Sequence, residues 1–196
     1  HPNCTFNPII NENYQILTDT TVNRSELHGI YLALEMQNRY RYIYNDIHIF
    51  SDSALSVKGL RDWFFSWNKG NKNYFTNSSF EYVKNQDMFK YVAYYILNNN
   101  LNVNLHHCKG HINISEPHSI KRAIDTYKTS NGCDIDKNTA LTISFYNNMV
   151  DNKSREYLNC YLSNYVPISY TISYPEYDKG KLSTEDIRKY ASLITK

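Results

Sequence analysis

A chain of 196 residues with 21 Lys and Arg against 19 Asp and Glu carries a formal charge of +2. That length suits one domain with a sizeable core. The near-neutral balance excludes a globally basic nucleic-acid binder, so any such surface has to come from local clustering. No apolar run approaches a membrane span, and no signal-peptide pattern opens the chain. Cys4, Cys108, Cys133 and Cys160 form no C-x-x-C pair and read as reduced thiols of a cytoplasmic-type compartment. The abundance of asparagine and tyrosine is the bias of an AT-rich coding sequence, as in phages and low-GC bacteria, and carries no chemistry.

Residues 1–12 hold Pro2, Pro8 and several asparagines and read as a loop, followed by a short strand over Tyr14 to Thr18. A helix then opens at Asn23 as N-cap, with Glu26 at its third position completing a capping box. Leu27, Ile30, Tyr31 and Leu34 supply its buried stripe to about Asn38. Ile47 to Phe50 is a compact strand ending in Ser51-Asp52-Ser53, and Ala54 to Leu60 is helical. An aromatic and basic segment, Trp63 to Lys72, leads through a polar stretch to Val83-Lys84-Asn85-Gln86-Asp87. The next helix covers roughly 86–98. Leu101, Val103 and Leu105 alternate as a half-buried strand that ends at His106-His107-Cys108-Lys109-Gly110-His111. Alternation sends residues 106 and 107 to opposite faces, which speaks against a zinc site. A polar, basic stretch from 112 to about 138 contains a helix around Ser119–Tyr127, and a longer helix falls within 139–162. Pro167 to Pro175 is extended, and Ser183-Thr184-Glu185-Asp186 caps a final helix to Leu193. Alternating strands and helices make an α/β layer architecture.

Glu26, Asp52 and Asp151 stand out, although each has an ordinary reading: a helix-start contact, a turn contact and a solvated helix side chain. Asp52 lies at the carboxyl end of a strand, where functional groups gather in α/β folds. Carboxylates converging there repel one another unless divalent cations neutralise them, and hard oxygen donors suit Mg²⁺ or Mn²⁺.

The order and context of these pieces resemble the type 1 ribonuclease H family. Thr-Val-Asn-Arg-Ser-Glu-Leu (21–27) is similar to that family's turn into its first helix, and Phe-Ser-Asp-Ser (50–53) to its strand-end T-D-S. Trp63-x-x-x-Trp67 with Lys69, then Val83-Lys84-Asn85-x-Asp87, resembles its substrate-contacting helix, basic protrusion and return. Lys109-Gly110-His111 is similar to its K-G-H, and Asn147-x-x-Val150-Asp151 to the N-x-x-[AC]-D that supplies its last carboxylate.

The resemblance implies an α/β fold with a mixed central sheet flanked by helices. Residues 1–163 would form the domain, with 112–146 an insertion looped out before the last catalytic helix and 164–196 a C-terminal extension. It implies hydrolysis of the RNA strand of RNA–DNA hybrids with two Mg²⁺ or Mn²⁺ ions held by Glu26, Asp52 and Asp151, and with His111 assisting proton transfer or product release. Thr21, Asn23, Trp63, Trp67, Lys69 and Lys84 would grip the nucleic acid, although core packing accounts for at least one of the tryptophans. Asp134 and Asp136 compete for the role of last acid, and only Asp151 has the N-x-x-V-D context. The family's opening aspartate, in a D-G-S-like context, has no counterpart before Tyr14. Either the sequence lacks its natural beginning, as the nuclease part of a larger polypeptide or nucleoprotein assembly, or the chain is a catalytically inactive nucleic-acid-binding or structural member.

Overall fold

The computed structural model describes residues 21–43, 47–68, 75–163 and 182–195. The loop over 1–12, the strand over Tyr14–Thr18, Lys69 and the extended segment Pro167–Pro175 lie outside them.

The first helix, α1 (Val22–Tyr40), buries Leu27, Ile30 and Leu34 as its spacing predicts. Its cap differs from expectation. Thr21, not Asn23, is the N-cap, its side chain accepting from the Arg24 N–H at 3.3 Å. The helix therefore starts two residues earlier, about half a turn, and Glu26 takes no part in a capping box. β1 (His48–Ser51) follows, then α2 (Ala54–Lys58), capped by the Ser53 hydroxyl. The chain next widens into a π turn (Gly59–Trp63), closed by the Phe64 N–H on the Gly59 carbonyl, before α3 (Phe64–Trp67). Gly59 is needed there, since a Cβ would come within 2.6 Å of Phe89 Cζ. The re-registered turn points Arg61, Phe64 and Trp67 inward.

α4 (Gln86–Asn99) is framed by two left-handed asparagines, Asn85 and Asn100. β2 (Val103–His107) pairs parallel to β1, with Ile49 opposite Leu105. α5 (Pro117–Asn131), α6 (Lys137–Ser163), α7 (Thr184–Leu193) and β3 (Ile194–Thr195) complete the described residues. The three strands form one parallel sheet in the order β1-β2-β3. Among the described residues all pairings within the sheet are parallel, where a mixed sheet was expected.

Alternation along β2 divides the core. Val103 and Leu105 join α1, α4 and α7 on one face, around Leu27, Phe64, Met88, Val92 and Tyr190. Cys108, Tyr127 and Ile143, with Phe50, pack on the α5–α6 face. The sheet thus lies between helical layers, as α/β patterning requires.

Two segments set apart in the sequence are integral parts of this packing. Within 112–146, the helix α5 packs on the sheet. α5 is fastened to β2 by the Asn131 side chain, which donates to the His107 carbonyl at 2.8 Å and accepts from the His107 N–H at 3.0 Å. Near the end of the chain, Tyr190 is fully buried and its hydroxyl donates to the Leu60 carbonyl at 2.9 Å. Ile194 pairs with Val103 in the sheet. No helix among the described residues is long and apolar enough to cross a membrane.

Candidate active site

The carboxyl ends of β1 and β2, the first turns of α1 and the middle of α6 meet at one edge of the sheet. Asp52 leaves β1 directly, and its carboxylate lies against Gly110. A Cβ at position 110 would overlap Asp52 Oδ2 and approach its Cγ and Cβ at 3.1 and 3.2 Å. The glycine of the K-G-H motif therefore leaves room for an acid. Gly110→Ala is expected to displace Asp52 and cut turnover by about 10²-fold, because small misplacements of reacting groups are costly. Its thermal unfolding should stay close to the parent's. An alanine variant that cleaves at the parental rate would show that the Asp52 position is not critical.

From α6, Asn147 reaches over to Asp52, donating Nδ2 to Oδ2 at 3.2 Å. Its carbonyl accepts from the Cys108 thiol at 3.7 Å. Burial, followed by the nearby Asp52 charge, pushes that thiol up to about 12, so Cys108 stays a neutral donor. One helical turn beyond Asn147, Asp151 receives His111 Nδ1 at 3.2 Å and Arg155 at 2.9 Å. His111 has φ 53° and stands well out into solvent. From the other side, Glu26 Oε2 accepts from the Ser53 hydroxyl, one residue past Asp52. A chain of direct contacts thus ties Glu26 to the residue next to Asp52, and Asp52 to the α6 face that carries Asp151.

The competing acids are occupied elsewhere. Asp134 pairs with Lys128 at 2.9 Å. Asp136 receives the N–H groups of Asn138 and Thr139 and the Thr139 hydroxyl at the start of α6, bonds that hold its carboxyl below the usual range.

Of the residues expected to grip a ligand, Thr21, Asn23 and Lys84 are exposed. Trp63 is 38% exposed and lies over Trp67, with ring centroids 5.9 Å apart. Trp67 is only 8% exposed and packs edge-on against Phe89 at 5.1 Å. It belongs to the core that supports Trp63, since its large ring gains more from burial than a surface position would offer. Asp87, part of the return motif, holds Arg24 through two bonds of 3.0 and 2.6 Å. Burial raises its carboxyl, but the hydrogen bonds and charge of Arg24 outweigh this and leave it lowered. The pair locks the start of α4 to the first turn of α1, beside Glu26.

Sequence reasoning did not single out Ser53, Gly110, Asn147 or Arg155 as site residues. Three of them sit inside the quoted motifs, and Asn147 lies four residues before Asp151, on the same helical face. That spacing is the signal by which it could have been found.

Among the described residues no three His, Cys, Asp or Glu side chains lie close enough together to hold a metal ion. The donor chemistry still fits a hard divalent cation. Three carboxylates from three elements face one edge, and each is held by a neutral or cationic donor that a cation could replace.

A family model described as RNase H matches residues 5–123. The chain is also similar to a ribonuclease H of Schizosaccharomyces pombe, at 38% identity over 93 residues, which cover 47% of this chain and 31% of that protein. The matched region thus spans less than a third of the relative's length. No solved structure matches the chain significantly.

Proposed function

The chain belongs to the ribonuclease H family, and from that premise we propose that it is a metal-dependent nuclease hydrolysing the RNA strand of RNA–DNA hybrids. The observation that carries this reading is the contact chain joining Glu26, Ser53, Asp52 and Asn147 on one edge, with Asp151 one helical turn farther on. Glu26, Asp52 and Asp151 would hold two Mg²⁺ or Mn²⁺ ions. Such ions, when bound, supply Lewis acidity for activating water and for stabilising the leaving 3′ oxygen.

The protein's own share is positional. Asn147 aims the Asp52 carboxylate, and Gly110 leaves it room. His111, on an exposed left-handed backbone and bonded to Asp151, is placed to carry a proton between site and solvent. Thr21, Asn23 and Lys84 offer exposed polar and cationic groups for phosphates, and the half-covered Trp63 offers a ring face. Recognition of this type depends on groove shape and 2′-hydroxyls more than on base identity.

A catalytically silent nucleic-acid-binding member is the second reading. It is favoured by the two partners that occupy Asp151, His111 and Arg155. Labelled RNA–DNA hybrid, RNA duplex and DNA duplex, incubated with Mg²⁺ or with a chelator, separate the two. The nuclease cuts only the RNA of the hybrid, and only with the metal. Tight hybrid binding without cleavage in either Mg²⁺ or Mn²⁺ would establish the silent form.

A further inference from the structure

The Ser53 hydroxyl stands at the crossing of three bonds. It contacts Glu26 Oε2, it lies 2.8 Å from the Ser56 hydroxyl, and it accepts from the Ser56 N–H at 3.3 Å. A hydroxyl has one proton, and a carboxylate can only accept. The Ser53 proton therefore goes to Glu26, and the Ser56 hydroxyl must donate its own to Ser53. Ser56 is fully buried, so this bond is also what satisfies its hydroxyl. The Ser53 backbone is fixed as well, its N–H on Ser51 Oγ at 3.2 Å and its carbonyl accepting from the Val57 N–H at 3.0 Å. A side chain with this many partners has no freedom to turn.

We propose that Ser53, locked by Ser56, is the positioning residue that sets the Glu26 carboxylate against Asp52 and so tunes affinity for the divalent cation. The inference rests on the metal-site reading above. Glu26 comes from α1 and Asp52 from the end of β1, and no covalent link sets their separation. The serine directly after Asp52 supplies the missing connection. Partners one layer behind metal-binding carboxylates typically change affinity by about 10- to 100-fold when removed.

The test is Mn²⁺ titration of the metal-free protein, with free Mn²⁺ read by electron paramagnetic resonance, beside cleavage rates across Mg²⁺ concentration. Glycine is tolerated at a helix N-cap, so Ser53→Gly removes the hydroxyl while keeping the start of α2. It is expected to weaken Mn²⁺ binding about tenfold, with the cleavage rate recovering at saturating metal. Ser53→Thr keeps the hydroxyl and should bind within about twofold of the parent. Ser56→Ala frees the Ser53 rotor and should fall between the two. Parental affinity in both Ser53→Gly and Ser56→Ala overturns the proposal, as does a Ser53→Thr protein that melts like the parent yet binds as weakly as the glycine variant. A parent protein that takes up no Mn²⁺ instead overturns the metal-site reading, and this inference with it.

Discussion

Asp52→Asn is expected to lower hybrid cleavage by about 10³-fold while hybrid binding and fold persist, since a metal's stabilisation of developing charge is worth several kcal/mol. The substitution is nearly isosteric, so it fits the space beside Gly110 that an extra Cβ would fill. Its amide oxygen can still accept from Asn147, so the link to α6 is kept. What disappears is the charge. The melting temperature should therefore stay within about 2 °C of the parent. Initial rates at saturating Mg²⁺ and hybrid binding by fluorescence anisotropy decide the matter. A variant that cleaves at the parental rate would remove Asp52 from the reaction.

The largest effect on stability is expected at Arg61. Its side chain is 3% exposed, and its guanidinium is fully engaged. Nη1 donates to the Leu105 carbonyl at 3.1 Å and to Asn131 Oδ1 at 2.8 Å. Nη2 donates to the Ser130 carbonyl at 2.7 Å, and Asp62 receives both Nε and Nη2 at 3.2 Å. Truncation to alanine strands acceptors on β2 and on the last turn of α5, away from water. A loss of about 3 kcal/mol follows, read as a lower midpoint in urea at unchanged slope. Lysine should recover only part of it, because a single ammonium cannot reproduce the planar fork. A change below about 0.5 kcal/mol would mean that α5 is held by its apolar contacts alone.

The elements that carry the candidate site could be read from sequence because each is marked by a short local motif. Leu27, Ile30 and Leu34 mark a helix whose partly buried Glu26 lies in line with Ile30 and Leu34, and the apolar run to Phe50 puts Asp52 at a strand end. What escaped prediction depended on tertiary structure. Thr21 caps α1 in place of Asn23 although asparagine is the better N-cap type, so local cap preference alone does not fix where this helix begins. Trp67 went to the core and Trp63 to the surface because of the π turn at Gly59, which no simple periodicity foretells. α5 looked like a polar insertion because its few apolar contacts, Ile120, Ala123 and Tyr127, are supplemented by the buried Arg61 and Asn131 bonds. β3 is two residues long and has no period to detect.

The strand pairings have a kinetic consequence. His48 meets Asn104, 56 positions away, and Val103 meets Ile194, 91 positions away. Closing such spans costs chain entropy before any contact repays it; docking α1 on α4 (Tyr31 meets Tyr91, 60 positions away) closes a loop no shorter than the β1–β2 pair, so the closure of β3 onto β2 is the costliest of the three. Asp52 and Ser53 follow β1, and Gly110 follows β2. The part of the acidic edge that they form therefore needs only the shorter strand pairing, and does not wait for the end of the chain to add β3.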